Sequence, residues 1–185
     1  DAAMKQQLAG KPKLKHLIWI AVAAILLLVA IGGFVFLRNW ETNNAADQHQ
    51  AAIQSFYDIP SLLPSETPGA LIRTEAISIS VPGGSAYRML YVSQLANGEP
   101  SVSSGMIFVP NTPAPAEGRK VVAWAQGTLG FGDDCAPSRS ETPLGDMTNW
   151  IDAMMQRGWV VAATDYAGIG TKGIPTIWSV RVKPM

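Results

Sequence analysis

The 185 residues predict an α/β fold behind a single membrane-spanning helix. Three observations carry that prediction. An uncharged run extends from Leu17 to Leu37, short alternating segments broken by Pro and Gly occupy residues 71–110, and a strand–helix–strand pattern runs from Arg119 to Ala163. Composition narrows the field further. Fourteen basic residues balance fourteen acidic ones, 48% of residues are apolar and 15% are charged. An electrostatic nucleic-acid binder needs a basic excess and a disordered chain needs a poor apolar content, so both are set aside. One cysteine makes no internal disulfide and no Cys-rich zinc module, and no metal or cofactor site is expected.

The N-terminal run LIWIAVAAILLLVAIGGFVFL has 21 residues without a charge. At ~1.5 Å per residue, a helix of that length spans the ~30 Å hydrocarbon core of a bilayer. The alternative is a cleaved signal peptide, whose apolar region normally has about 7 to 15 residues and ends at a small-x-small site. The one such pattern here, Ala30-Ile31-Gly32, lies inside the run, and a secreted protein would result if it were cut. Lys5, Lys11, Lys13 and Lys15 precede the run and Arg38 follows it, which assigns residues 1–16 to a cytoplasmic stub and everything beyond 37 to the outside. Trp19 and Trp40 suit the two interfaces, and His16 belongs to the basic flank. Residues 38–55 are polar, rich in Ala and Gln and without an apolar stripe, so they read as a spacer that carries a solvated His49.

Beyond Phe56 the texture becomes β-like. In Leu71–Val81, Ile77, Ile79 and Val81 alternate with Ser78 and Ser80, the period of a half-buried strand. Pro82-Gly83-Gly84 turns the chain, Ala86–Ser93 alternates again, and Gly105–Val109 is a third strand closed by Pro110. Arg119–Ala125 is a short apolar strand that runs into Gln126-Gly127-Thr128. Leu144–Arg157 has Trp150, Ile151, Met154 and Met155 at helical spacing, with Asp146 as a cap and Gly158 as a stop. The unbroken run Trp159–Ala163 reads as a strand buried on both faces. Strand, helix and strand joined by short loops form a βαβ unit with a parallel pair, preceded by an antiparallel meander.

Several short motifs occur in a telling order: Phe56-Tyr57 with Pro60, Pro68-Gly69-Ala70-Leu71-Ile72-Arg73, Tyr91-Val92-Ser93, Ser104-Gly105, Val109-Pro110, Val122-Ala123-Trp124-Ala125-Gln126-Gly127-Thr128, Cys135-Ala136-Pro137-Ser138, and Thr164-Asp165-Tyr166-Ala167-Gly168-Ile169-Gly170-Thr171. Over residues 56–173 this order resembles the N-terminal portion of the secretory lipase family of α/β-hydrolases. The resemblance implies a serine esterase or triacylglycerol lipase of lipid catabolism, acting on an ester or lipid substrate. Such an enzyme needs a serine on a strand-to-helix elbow, a histidine base, an acid that orients it, and backbone donors for the oxyanion.

No Gly-x-Ser-x-Gly occurs in the chain, and no histidine lies beyond His49. None of the triad is therefore expected among these residues, the α/β-hydrolase sheet is expected to be incomplete, and the chain alone is expected to be inactive. Gly83-Gly84-Ser85-Ala86-Tyr87 lacks the second glycine and reads as a turn. What the resemblance leaves is the oxyanion loop at Gly127 and Thr128, where Gln126 stands in place of the family's usual histidine. An ordinary glycine turn after a buried strand is the alternative reading of that loop. Asp133 and Asp134 read as solvated carboxylates and Cys135 as a thiol without a base. Asp165 precedes the place of the nucleophile, whereas the family's triad acid follows it, so Asp165 reads as a loop-forming structural residue. The similarity stops after Gly173, because Ile174–Met185 carries Pro175 and Pro184 and no helical stripe. The unfinished parallel sheet is expected to expose an apolar edge and to be poorly soluble. A noncatalytic surface module on a hydrolase-like scaffold is the alternative function.

Overall fold

The computed structural model describes residues 14–95, 97–127 and 129–172. The basic residues Lys5, Lys11 and Lys13, the loop residue Thr128 and the tail 174–185 lie outside them. The chain divides into two compact units, with the boundary between Gln48 and His49.

Helix α1 covers Leu14–Ile53. Its apolar stretch contains two glycines and no proline, and its side chains from Leu17 to Leu37 are exposed. By length and composition it can cross a membrane. The polar segment expected to be an irregular spacer is instead helical through Ile53. Its Ala, Gln, Glu and Asp residues include good helix formers, and a helix that is polar all round leaves no stripe to read.

In the second unit, five strands form one mixed sheet: β1 (Leu71–Ile77), β2 (Gly84–Gln94), β3 (Pro100–Pro110), β4 (Val121–Ala125) and β5 (Val160–Thr164). Their spatial order is β1-β2-β3-β5-β4. The meander β1-β2-β3 is antiparallel, β5 pairs antiparallel with β3 from Gly105↔Thr164 to Phe108↔Val161, and β4 pairs parallel with β5 from Val121↔Val160 to Ala125↔Thr164. The parallel pair expected from the βαβ reading is present. At Gly105 the β5 backbone comes so close that a Cβ would stand 2.5 Å from the Ala163 carbonyl oxygen.

The crossover from β4 to β5 differs from the single helix expected over residues 144–157. It consists of a 3-10 turn at Gly145–Asn149 and a short helix α2 at Ile151–Gln156, interrupted at Trp150, whose φ of −139° is not helical. Asp146 makes no side-chain cap there. The break lets the Trp150 ring pack on Trp124 at 4.9 Å between centroids. Met147, Ile151 and Met155 still share one face, and they join Ala86, Met106, Phe108, Val161 and Ala163 in the core. A second cluster of Phe56, Tyr57, Leu90 and Val102 covers the same sheet face further along. Only that face is covered among the described residues. On the other, Ala123 and Ala125 are exposed and Val160, Ala162 and Thr164 half-buried, so β5 is not buried on both faces as its sequence suggested. An open groove of about 420 Å³ bordered by Leu71, Tyr91, Ala123 and Ala162 lies there.

Candidate functional site

The chain leaves β4 through Gln126 and Gly127, at the carboxyl end of a parallel strand, where α/β sheets bind ligands. Two neighbours fix the Gln126 residue. The Tyr166 hydroxyl donates to its backbone carbonyl at 2.6 Å, and its side-chain amide is near enough to the Asp165 carboxylate to favour the charged form. In a trans peptide the N–H lies opposite the C=O, and no cis peptide occurs among the described residues. The Gly127 N–H therefore points away from Tyr166. Gly127 is exposed, and a Cβ built on it would meet nothing within 4 Å. Space is left for an incoming atom.

Asp165 is the hub beneath this loop. It is 1% exposed. Its Oδ2 accepts from the Ser104 hydroxyl at 2.6 Å and from the Ser138 hydroxyl, and its Oδ1 accepts from the Ser138 N–H at 3.3 Å. Burial pushes its carboxyl above the ordinary carboxylate range, and the hydrogen bonds from Ser104 and Ser138 oppose that shift only in part. The structural role read from the sequence is the one it performs: three segments distant in the chain converge on one carboxylate. Gly170 permits the convergence. Its φ is +83°, and a Cβ there would lie 2.7 Å from that of Ala136 and 2.8 Å from the Ser104 hydroxyl.

Ser138 leads on to Tyr57, whose hydroxyl lies 2.9 Å from the Ser138 hydroxyl. Burial pushes the phenol up to about 12. The Arg139 guanidinium lies over the Tyr57 ring at 3.9 Å. Arg139 is 2% exposed, and it donates to the Gly170 carbonyl at 3.1 Å and to the Gln50 and Gln54 side-chain oxygens at 3.2 and 3.1 Å. In return its own carbonyl accepts from Gln50 Nε2 at 3.2 Å and lies 3.0 Å from His49 Nε2. His49 is thus half-buried and bonded, not the solvated spacer residue its surroundings in sequence suggested. It belongs to this clamp and not to the Gly127 loop. Arg88 completes the set, donating to the Ser138 carbonyl at 2.9 Å and pairing with Glu75 at 3.0 Å.

Sequence reasoning singled out Gly127 and Thr128 but missed Ser104, Ser138, Tyr57 and Arg139 as parts of the network that supports the loop. Ser104, Ser138 and Tyr57 lie within motifs of the resemblance, which was the available signal, whereas Arg139 follows Cys135-Ala136-Pro137-Ser138 and had none. Asp133 and Asp134 are exposed and stand apart from the network. Cys135 is half-buried, and a Cβ on Gly130 would lie 2.4 Å from its sulfur. A cavity of about 180 Å³ opens beside Gln126 and Gly127, against the turn from Pro137 to Met147.

No family model matches the chain, and no curated protein matches it. Among solved structures it is similar to Candida antarctica lipase A in its closed state, at 19% identity and a TM-score of 0.46, over 62% of this chain and 30% of that one. It is also similar to a ligand-bound form of the rice cell wall degrading esterase LipA from Xanthomonas oryzae, at 14% identity and a TM-score of 0.42, over 62% of this chain and 34% of that one. The chain thus spans about a third of the length of these neighbours.

Proposed function

We propose that the chain is the N-terminal portion of a membrane-anchored serine carboxylic-ester hydrolase of the secretory-lipase kind, acting on ester or lipid substrates. The observation that supports this reading best is the Gln126-Gly127 loop at the carboxyl end of β4, held by Tyr166 at the Gln126 carbonyl and followed by an exposed Gly127 with open space at its Cα. Backbone amides at Gly127 and Thr128 stabilise the oxyanion of an acyl-transfer intermediate, a task that needs no particular side chain and so tolerates Gln126 in place of a histidine. The nucleophile, the base and its acid are not supplied by these 185 residues. The unpaired edge of β4 is where an elbow strand would continue the parallel sheet. Residues 17–37 hold the protein in the membrane, with the N-terminus in the cytoplasm and the hydrolase unit outside.

The nucleotide sequence beyond the codon for Gly173 tests the reading. A Gly-x-Ser-x-Gly in any frame within several tens of codons, followed by an acid and a histidine, is the expected result. Its absence from every frame overturns the hydrolase and favours a noncatalytic binding module. The 185 residues alone are expected to release no p-nitrophenol from p-nitrophenyl butyrate.

A further inference from the structure

The last turn of α1 and the 3-10 turn after it, Gln54–Tyr57, carry a row of side chains that recur every three or four residues: His49, Gln50, Ile53, Gln54 and Tyr57. All of them belong to the second unit. Ile53 packs on the Leu90 and Val102 cluster, and the other four meet Arg139. Gln50 grips that residue at both ends, accepting from Nη1 through Oε1 and donating to the backbone carbonyl through Nε2, each at 3.2 Å. A buried guanidinium needs its donors satisfied, so it moves with its acceptors.

Three routes lead from this row to Asp165. Arg139 Nε donates to the Gly170 carbonyl, and Gly170 backs on the carboxylate so closely that an added Cβ would stand 3.5 Å from Oδ2. Ser138, which precedes Arg139 in the 3-10 turn Pro137–Arg139, gives the carboxylate both its N–H and its hydroxyl. The Tyr57 hydroxyl reaches the Ser138 hydroxyl directly from the row. Arg139, Tyr57, Ser138 and Asp165 are each no more than 2% exposed. Close-packed, water-free links of this kind pass a displacement on instead of absorbing it. Beyond Asp165, its chain neighbour Tyr166 holds the Gln126 carbonyl, whose peptide carries the Gly127 N–H. The outer end of the network is accessible, because Gln54 is exposed.

We propose that Gln50 and Gln54 are positioning residues for Gly127: through Arg139 and Asp165, the end of α1 sets the geometry of the loop after β4. A displacement of that helical turn resets the loop. The proposal rests on the ester-hydrolase reading only for what the loop does, since the coupling is a property of the fold.

The test uses the full chain in lipid nanodiscs, labelled with carbon-13 at the Gln carbonyls and nitrogen-15 at Gly. Gln126-Gly127 is the only Gln-Gly step in the sequence, so a single carbonyl–nitrogen cross-peak reports Gly127. Gln50→Ala combined with Gln54→Ala is expected to move that peak by more than its linewidth, and each single variant to move it along the same line by less. Gln54→Glu keeps an acceptor for Arg139 and is expected to hold the peak within a linewidth of its parent position. Arg119→Gln deletes bonds to the Pro110, Thr112 and Gly158 carbonyls, outside the network, and is expected to leave the peak in place as well. A loss of global stability alone lowers the intensity of the native peak without moving it. If the double variant does not fold, Tyr57→Phe keeps the ring beneath Arg139, removes only the hydroxyl, and is expected to move the peak in its stead. An unmoved Gly127 peak in the folded variants overturns the proposal, as does a peak that Arg119→Gln or Gln54→Glu moves as far as the Gln-to-Ala changes do. The readout needs no turnover. An unmoved peak sinks the coupling and leaves the hydrolase reading standing, whereas a downstream sequence without an elbow sinks the hydrolase and leaves a measured coupling.

Discussion

Asp165 converts a loop crossing into a fixed platform, and its burial gives stability a definite pH dependence. Its carboxyl titrates above the ordinary value in the folded chain, so the native state holds the proton more tightly than the unfolded state. The resulting stability is fully present below the unfolded value near ~3.9 and is lost as pH rises through the raised one. Asp165→Asn removes the titration. The urea midpoint of the variant minus that of the parent should therefore become more positive from pH 4 to pH 7, whatever constant offset the altered hydrogen bonds introduce. A difference that stays flat with pH contradicts the role given to burial. Tyr166 acts on the neighbouring peptide. Tyr166→Phe deletes the bond to the Gln126 carbonyl and should cost about 0.5–1.5 kcal/mol, with a changed Gly127 amide shift in nitrogen-15 spectra. An unmoved Gly127 signal would show that the hydroxyl does not orient that peptide.

At the scale of elements, β4 is the exposed side of the sheet. Val121 at its start is 64% exposed, and its outer edge has no strand partner among the described residues. Unpaired edges template intermolecular pairing, and an edge lysine blunts them. Val121→Lys should raise the monodisperse fraction of detergent-solubilised chain in size-exclusion chromatography while changing stability by less than about 0.5 kcal/mol. The strands were legible because alternation survives wherever one face is buried: Ala86, Leu90 and Val92 on β2, and Met106 and Phe108 on β3, are all fully buried. The crossover was legible only in part. Spacing correctly marked Ile151 and Met155, but the segment splits at Trp150, whose ring packs tilted against Trp124. The helix over residues 38–53 could not be read from a stripe, since it has none. The site followed the same logic: Gly127 sits in a contiguous motif, whereas Asp165 is assembled with Ser104 and Ser138 across 61 and 27 residues of chain, a separation that no local period encodes.

For the molecule as a whole, the two-unit division sharpens what the composition blurred. The 48% apolar content combines an exposed apolar helix with a second unit whose core, among the described residues, lies on one side of its sheet. A parallel sheet ordinarily has both faces covered, and among the described residues one face is open beside an open edge. Both histidines fall outside residues 56–173, yet His49 is part of the second unit, where its ring lies 3.0 Å from the Arg139 carbonyl.

That clamp decides how short the second unit can be cut. Arg139 is buried and finds its side-chain partners at Gln50 and Gln54, residues that a cut just before Phe56 would carry away. Without them the guanidinium loses two side-chain hydrogen bonds, a loss of about 1–3 kcal/mol. A folded fragment of the second unit that keeps this clamp therefore begins at or before His49. Limited proteolysis followed by mass analysis of the released piece should find stable products beginning at or before His49 and none beginning at Phe56.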